Sequence, residues 1–572
     1  MTVAFAELLE RGDRRWQELN EAPWIRVGGG VSGEAAGCDA VIETFNSELQ
    51  SSGAAGIVTR VGMYGLCYAE PLVDIKTPGG PRVWYANVTP EQVPGLVAQH
   101  VKGEQPVIAQ AFGYEPAKEG QVLQGVTKLQ DLPDVAAQMR IATKNFGNID
   151  PLDLLQYVAN GGYAGLEKAL DGMSPDQVLD DVKASGLRGR GGAAFPTGLK
   201  WSFLSGNPAK EKYILCNCEE GDPGAFNDKA ILESDPHTLL EGLILAGYAT
   251  NSSKGFIFIR QGHDEPINAA RKSIADAYEA GLLGENILGS EFSYDAEVVL
   301  TGDSYVAGEE TALMEAIEGK RSQPRYRPPF PAQAGLWQKP SNINNVKSLA
   351  YVPQIIARGG EWFKGVGTEK SAGTALICLT GDIERPGLFE IPMGLTIRQV
   401  LDDVGGGAPG GKRIKVLQTG GPLGGVLGED AFDTEIDFDA MSAAGAILGS
   451  GGIIVGNEDV NVVDLTRALV AFNQFESCGK CFPCRLGTTH MLETLDRVCM
   501  NQAYEEDFEL MDRIGTSMKV GSLCGHGQLG YNPILSAVKF FKDEFDECIA
   551  EHAGPVGAFP DGSMITPNRT RP

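Results

Sequence analysis

Three cysteines, Cys478, Cys481 and Cys484, stand at CxxCxxC spacing in Glu-Ser-Cys-Gly-Lys-Cys-Phe-Pro-Cys-Arg. A fourth, Cys524, follows downstream in Gly-Ser-Leu-Cys-Gly-His-Gly. Two residues between thiolates let a turning backbone aim both sulfurs at neighbouring corners of one cluster. A triplet with a remote fourth thiolate is how a cubane iron–sulfur cluster is commonly held. A structural zinc site is the nearest rival, but zinc usually takes two separated pairs. Unliganded core cysteines would require the spacing to be an accident. The motif points to an electron-transfer centre at metal-binding residues Cys478, Cys481, Cys484 and Cys524.

At 572 residues the chain is long enough for several cores. A net charge of −27 argues against nucleic acid, whose phosphates require Lys and Arg. The remaining cysteines are scattered, unlike a secreted disulfide framework, and a reducing, cytoplasmic setting is expected. The first residues lack a basic flank and a long apolar run, so no signal peptide is expected. The uncharged stretch 440–456 is too short and too Gly-rich to span a bilayer, so membrane contact would come through partner subunits.

Residues 1–102 read as a small α/β unit. Strand-like runs lie at Gly56-Ile-Val-Thr-Arg-Val, Pro71-Leu-Val-Asp-Ile and Arg82-Val-Trp-Tyr-Ala, with Gly79-Gly80 as a turn. Thr89 suits a helix N-cap, with Val93, Leu96, Val97 and Val101 as the apolar face. The pattern resembles the thioredoxin-like domain that carries a two-iron cluster in the small subunit of NADH dehydrogenases. The family's four cysteines would fall near Gly28, Gly33, Met63 and Cys67, with Cys38 off the pattern. Two thiols cannot close such a cluster, so a structural or docking domain without one is expected. Residues 103–136 read as a connector without a sustained period.

The next region contains Leu187-Arg-Gly-Arg-Gly-Gly-Ala-Ala-Phe-Pro-Thr-Gly-Leu-Lys-Trp. Its glycines let backbone N–H groups approach an anion, and Arg190 and Lys200 add positive charge. Gly189, Gly191 and Ala194 formally match GxGxxA. A helix-like segment precedes them rather than a strand, which disfavours an ordinary dinucleotide fingerprint. Further on, Tyr213-Ile-Leu-Cys-Asn-Cys-Glu-Glu-Gly-Asp-Pro-Gly-Ala-Phe reads as a strand running into an acidic turn. A second acidic pair, Glu309 and Glu310, precedes a helix, where capping is the plain reading. A Pro-rich turn at 324–332 leads to Asn342-Ile-Asn-Asn-Val.

These ordered segments, with the cysteine set behind them, closely resemble the NADH-binding flavoprotein (51 kDa-type) subunit of respiratory complex I. The diaphorase subunits of NAD-linked hydrogenases, formate dehydrogenases and electron-bifurcating enzymes share the pattern. The resemblance covers roughly residues 137–550 and leans towards the soluble relatives. It implies a multidomain α/β fold. A thioredoxin-like domain (1–102) and connector (103–136) would precede a Rossmann-like FMN- and NADH-binding domain (137–355). A ubiquitin-like β-grasp domain (356–456), a helical bundle carrying a [4Fe-4S] cluster (457–550) and a tail (551–572) would follow.

The resemblance also implies a site. FMN would lie on Gly189, Arg190, Gly191, Gly192 and Lys200. Asn217, Glu219 and Glu220 would line it, and Tyr305, Gly308, Glu309, Glu310, Asn344 and Asn345 would close the other side. NADH would stack against Phe195, Phe203 and Phe330, with Asp222 and Glu310 near its nicotinamide and ribose. Glu219 and Cys218 depart from the usual Asp and Ala; tolerated swaps are favoured over an altered flavin contact or an oxidation site. His526 is expected to be a solvated loop histidine, and the Gly-rich turn after Thr419 a hairpin connection.

The expected activity is electron passage between NAD(H), FMN and a [4Fe-4S] cluster, to or from partner subunits of a larger complex. These partners would include a separate two-iron thioredoxin-like subunit. No general base is required, so the site residues are binding and positioning groups. The rivals are a non-catalytic assembly subunit that has lost NADH binding and a zinc-stapled scaffold. Acidic residues near the ribose favour NAD over NADP.

Overall fold

A computed structural model describes residues 2–549 and places three sheets and a helical bundle. The expected tail, 551–572, lies outside the described residues. In the N-terminal sheet, β1 (Trp24–Gly28) is flanked by β2 (Ile57–Val61) in parallel and β3 (Val73–Lys76) antiparallel. β4 (Arg82–Tyr85) and β5 (Ala111–Glu115) continue it antiparallel. The segment read as a connector therefore contributes a strand: Gly113 and Tyr114 are buried against β4, a long-range pairing that gives no local period. The helix near Thr89 begins at Val93 with Gln92 as N-cap, and the Gln92 side chain accepts the Thr89 N–H at 2.8 Å. The expected apolar face is buried. The first helix, Val3–Asn20, packs mainly on the helix Leu154–Ala159, where Phe5 and Leu8 join the central core, and its Trp16 meets Trp24 of β1 edge-on at 5.1 Å.

The second sheet is all parallel, in the order β8-β7-β6-β9, from β6 (Tyr213–Cys218), β7 (Lys254–Arg260), β8 (Asp295–Thr301) and β9 (Ser341–Asn345). Chain order runs outward from β6 through β7 to β8 and then returns to the far side of β6. The crevice beyond the β6 and β9 ends is thus a topological switch point, where open α/β sheets bind ligands. The apolar helix Pro236–Thr250, almost wholly buried, covers one face of this sheet.

The third sheet is mixed. β10 (Thr374–Gly381) pairs antiparallel with β11 (Gly387–Pro392) and parallel with β14 (Gly452–Asn457). β12 (Ile414–Thr419) follows β14, and β13 (Val426–Gly428) forms the edge. Trp84 of the first sheet shares a core with Ile377 and Phe389 of the third, so the units are packed through common apolar surfaces. The buried Glu390 also joins segments. It accepts from the Ile141, Ala142 and Thr143 N–H groups at 2.9, 3.1 and 2.8 Å, and from Thr143 Oγ1 at 2.6 Å.

Beyond β14 the chain is helical: Val462–Phe475, Phe482–Cys499, Glu505–Gly521, Gly525–Leu529 and Asn532–Phe540. Their apolar faces close on Val470, Met491, Leu495 and Met518. Among the described residues no helix is long and apolar enough to cross a membrane.

Candidate active site

The Gly-rich segment folds as a tight loop: Gly189 N–H donates to Phe195 O and Thr197 N–H to Leu187 O, both at 2.8 Å. Gly192 sits at φ +112°, a conformation that side chains rarely adopt. A Cβ at Gly191 would come within 2.9 Å of the Asn345 Cβ, so the loop lies directly on the β9 end. Among the described residues the N–H groups of Gly191, Gly192 and Ala193 have no acceptor. Arg190, by contrast, is buried. Its guanidinium donates to Ala372 O at 2.7 Å and Arg188 O at 3.2 Å and lies near the Tyr351 and Phe438 rings; its Nε has no partner.

Lys200, on the helix Thr197–Ser205, reaches Ile343 O at 2.7 Å and Glu310 Oε2 at 3.3 Å. Asn217 at the β6 end donates to Gly308 O at 2.8 Å, which joins two segments of the crevice. Glu219 is buried against Arg260, and burial pushes its carboxyl up to about 7 despite that guanidinium. Cys218 is fully buried with its thiol raised well above the ordinary range by desolvation, so it is not presented to an oxidant. Glu220, at φ +38°, turns inward. Its oxygens accept the Asp228 and Lys229 N–H groups at 2.7 and 2.8 Å, at the start of the helix Asn227–Ser234. Asn345 caps the helix Val346–Ala350 and donates to Asp228 Oδ2 at 2.7 Å, while Asn344 accepts from the Trp201 indole at 2.9 Å.

Glu309 does cap its helix, accepting the Thr311 and Ala312 N–H groups at 2.9 Å each. Arg327 of the Pro-rich turn pairs with Glu309 and with Glu310, at 3.0 Å from the latter. Phe195, Phe203 and Phe330 are 43, 55 and 53% exposed, and the first two rings stand 6.4 Å apart. Asp222 is held on both sides, by Tyr305 Oη at 2.7 Å and Ser450 Oγ at 2.9 Å. The Gly-rich turn after Thr419 is the β12–β13 connection, and it also packs here: a Cβ at Gly421 would fall 2.2 Å from Asp222 Oδ1.

Tyr305 leads from the crevice to the cysteines. Its ring lies 5.4 Å from Phe472 and 5.7 Å from His526, and its N–H donates to Glu476 Oε2 at 3.0 Å. Cys481 is the N-cap of the helix that holds Cys484, and Cys524 is the N-cap of Gly525–Leu529. Leu523 N–H approaches Cys481 Sγ at 3.3 Å, and Ser477 Oγ lies 3.4 Å from Cys484 Sγ. Burial, and then the neighbouring Cys478 and Cys481, raise the Cys484 thiol, so these cysteines stand in one neighbourhood at the head of the helical bundle. Burial pushes Cys524 up to about 12; a cationic cluster would hold such thiols as thiolates. Among the described residues no three Cys, His, Asp or Glu side chains close on a single ion. His526 is buried rather than solvated, because Asn473 O of the neighbouring helix holds its Nε2 at 2.8 Å.

A Gly-rich loop at a parallel-sheet crevice, joined through Tyr305 to the helices that carry the four motif cysteines, fits a cofactor-dependent redox protein. Residues 182–354 match the Nuo51 FMN-binding domain, residues 464–548 the NADH-ubiquinone oxidoreductase-F iron-sulfur binding region, and residues 376–427 the SLBB domain. The chain is 46% identical over 419 residues to the NADP-reducing hydrogenase subunit HndC of Solidesulfovibrio fructosivorans (73% of this chain, 85% of that one). It is 39% identical over 403 residues to the NADH-quinone oxidoreductase F subunit of Escherichia coli (70 and 91%). A crystal structure of an NAD+-reducing [NiFe]-hydrogenase in the H2-reduced state superposes with a TM-score of 0.65 at 25% identity (94% of this chain, 86% of that chain). The chain belongs to the 51 kDa-type family of NADH dehydrogenase flavoproteins, with FMN and [4Fe-4S] as its cofactors.

Proposed function

We propose that this chain is an NADH:acceptor oxidoreductase, a diaphorase subunit that passes electrons between NAD(H), FMN and a [4Fe-4S] cluster to or from partner subunits. The observation that carries this is Tyr305, which touches Asp222 at the crevice and His526 at the cysteine bundle. Bound FMN would supply the chemistry, accepting a hydride from NADH as a pair and passing electrons singly. The chain's own part is to bind and orient. The free N–H groups of Gly191, Gly192 and Ala193 would receive the flavin phosphate, with Gly189 and Arg190 fixing the loop and Lys200 supplying charge. Asn217, Gly308, Asn344 and Asn345 set the crevice walls, while Glu219 and Glu220 act from buried positions that hold its backbone. Phe195, Phe203 and Phe330 offer open ring faces to the dinucleotide, and Glu310 presents a carboxylate steadied by Arg327 and Lys200. Asp222, tied to Tyr305 and Ser450, positions the site from behind rather than as a free ligand.

Three finer assignments belong to this proposal. The order β2-β1-β3-β4, with β1 and β2 parallel, supports a thioredoxin-like N-terminal domain. Of the positions expected for such ligands, Gly28 and Gly33 lie together and Met63 is buried, and Cys67 alone carries a thiol; a separate subunit would then supply any two-iron centre. The order β11-β10-β14-β12-β13 with a central parallel pair supports a β-grasp domain. The test is Glu310→Gln in the FMN- and cluster-loaded protein. The proposal expects the KM for NADH to rise about tenfold with cofactor content unchanged, the loss of one charge-assisted contact. An unchanged KM would favour an assembly subunit without nucleotide binding.

A further inference from the structure

Away from the crevice, a cavity of about 400 Å³ opens where the N-terminal sheet meets the chain at Gly147-Asn148. Ligand pockets begin at about this size. Its wall carries Arg26 of β1, Lys76 of β3 and Arg82 of β4, in a chain whose overall charge is strongly negative. Both guanidiniums share one buried carboxylate, Asp74: Arg26 Nε and Arg82 Nε meet its Oδ1 at 2.9 and 2.8 Å, and an Arg82 terminal N–H meets its Oδ2 at 2.8 Å. The NH1 groups of both arginines then fall back on a single neutral acceptor, Asn148 Oδ1, at 3.3 Å each. Lys76 reaches only the neutral Asn20 Oδ1, at 2.7 Å. The other carboxylate nearby, Glu115, is half-exposed on the rim and 3.9 Å from Arg82.

Buried charges are normally paired, and here two guanidiniums share one buried carboxylate with a half-buried ammonium beside them. Burial, and then the neighbouring guanidiniums, hold Arg26 and Lys76 below their ordinary values, whereas Asp74 holds Arg82 above its own despite burial. The indoles of Trp24 and Trp84 lie 4.3 Å from the Arg26 and Arg82 guanidinium carbons and fix their planes. Asp74 takes the Nε edge of each guanidinium and Gly147 O a further Arg82 N–H, so the two NH1 groups, held only at 3.3 Å by Asn148, stand with the ammonium as the donors left for a multi-oxygen anion.

We propose that this pocket binds a phosphate group between Arg26, Lys76 and Arg82, and that the bound anion ties the N-terminal sheet to the redox body through Asn148. The cavity is larger than a phosphate ion, so the group can come from inorganic phosphate or from the terminal phosphate of a nucleotide.

The test is calorimetric titration of the FMN- and cluster-loaded full chain with inorganic phosphate and, separately, with ADP. Lys76→Met and Glu115→Gln are run alongside the unaltered protein. Lys76→Met should weaken binding about tenfold or more, and Glu115→Gln, which removes a competing carboxylate, should tighten it several-fold. NADH-dependent dye reduction should be unchanged in both variants. Variant-sensitive binding of phosphate itself identifies the inorganic ion as sufficient; sensitivity with ADP alone identifies the nucleotide. Either result supports the site. No binding of either probe, or binding that ignores both substitutions and so belongs to the NADH crevice, overturns it.

Discussion

Tyr305 Oη donates to Asp222 Oδ1 at 2.7 Å while the same ring stands 5.7 Å from His526, two residues from Cys524. One side chain thus ties the β6 crevice to the cysteine bundle. Tyr305→Phe keeps the ring but leaves the half-buried Asp222 with Ser450 as its remaining side-chain donor among the described residues. A lost hydrogen bond to a buried charged group costs about 1.5–3 kcal/mol. The expected outcome in stopped-flow spectroscopy is flavin reduction by NADH close to that of the unaltered protein, with cluster reduction slowed roughly tenfold. Equal slowing of both phases would place Tyr305 in nucleotide binding instead.

Gly191 lies where a Cβ would meet Asn345, and Gly192 holds a left-handed backbone. Gly191→Ala should therefore shift the N–H cradle without touching the cores. Purified variant protein is expected to retain its iron and lose most of its FMN, as read by extracted flavin per chain. Full FMN retention would mean that the cradle is not where the phosphate sits.

Glu390 gathers donors from Ile141, Ala142 and Thr143. In Glu390→Gln one acceptor oxygen becomes an NH2 group facing other donors. The expected destabilisation is about 3 kcal/mol, since each buried unsatisfied group costs about 1–3 kcal/mol. Thermal unfolding would show it as a lowered Tm.

Among the described residues Glu70 is buried without a geometric hydrogen-bond partner, and burial raises its carboxyl from 4.5 to about 7 even with the Ser32 hydroxyl nearby. Because the folded state binds the proton more tightly than the unfolded chain, stability falls as pH rises from 4.5 towards 7 and is lowest above that window. Glu70→Gln should thus stabilise the protein at pH 8 by about 2 kcal/mol and change little at pH 4.5. Chemical denaturation at the two pH values measures the difference; an equal effect at both would show that Glu70 finds a partner.

The family was legible because its sequence signals are local. The spacing of Cys478, Cys481 and Cys484 is written in one turn of chain, and Glu309 stands where a cap must stand. What escaped the sequence depends on distant partners. His526 is buried because a carbonyl on another helix holds it, and Gly421 reaches Asp222 only after two sheets have packed. β5 hides in an aperiodic segment because its burial is set by β4. Arg190 illustrates the same limit: its charge is plain in the sequence, whereas its direction is set by Ala372, far along the chain.

NADH, flavin and cluster are proposed to form one electron path within this chain. An anaerobic visible and EPR titration of the purified protein with NADH tests that path most directly. The expected result is a yellow-brown protein whose flavin band bleaches on NADH, with a reduced-cluster EPR signal appearing at the same time. A brown protein that NADH leaves unchanged, or a colourless one replete with zinc, would contradict it.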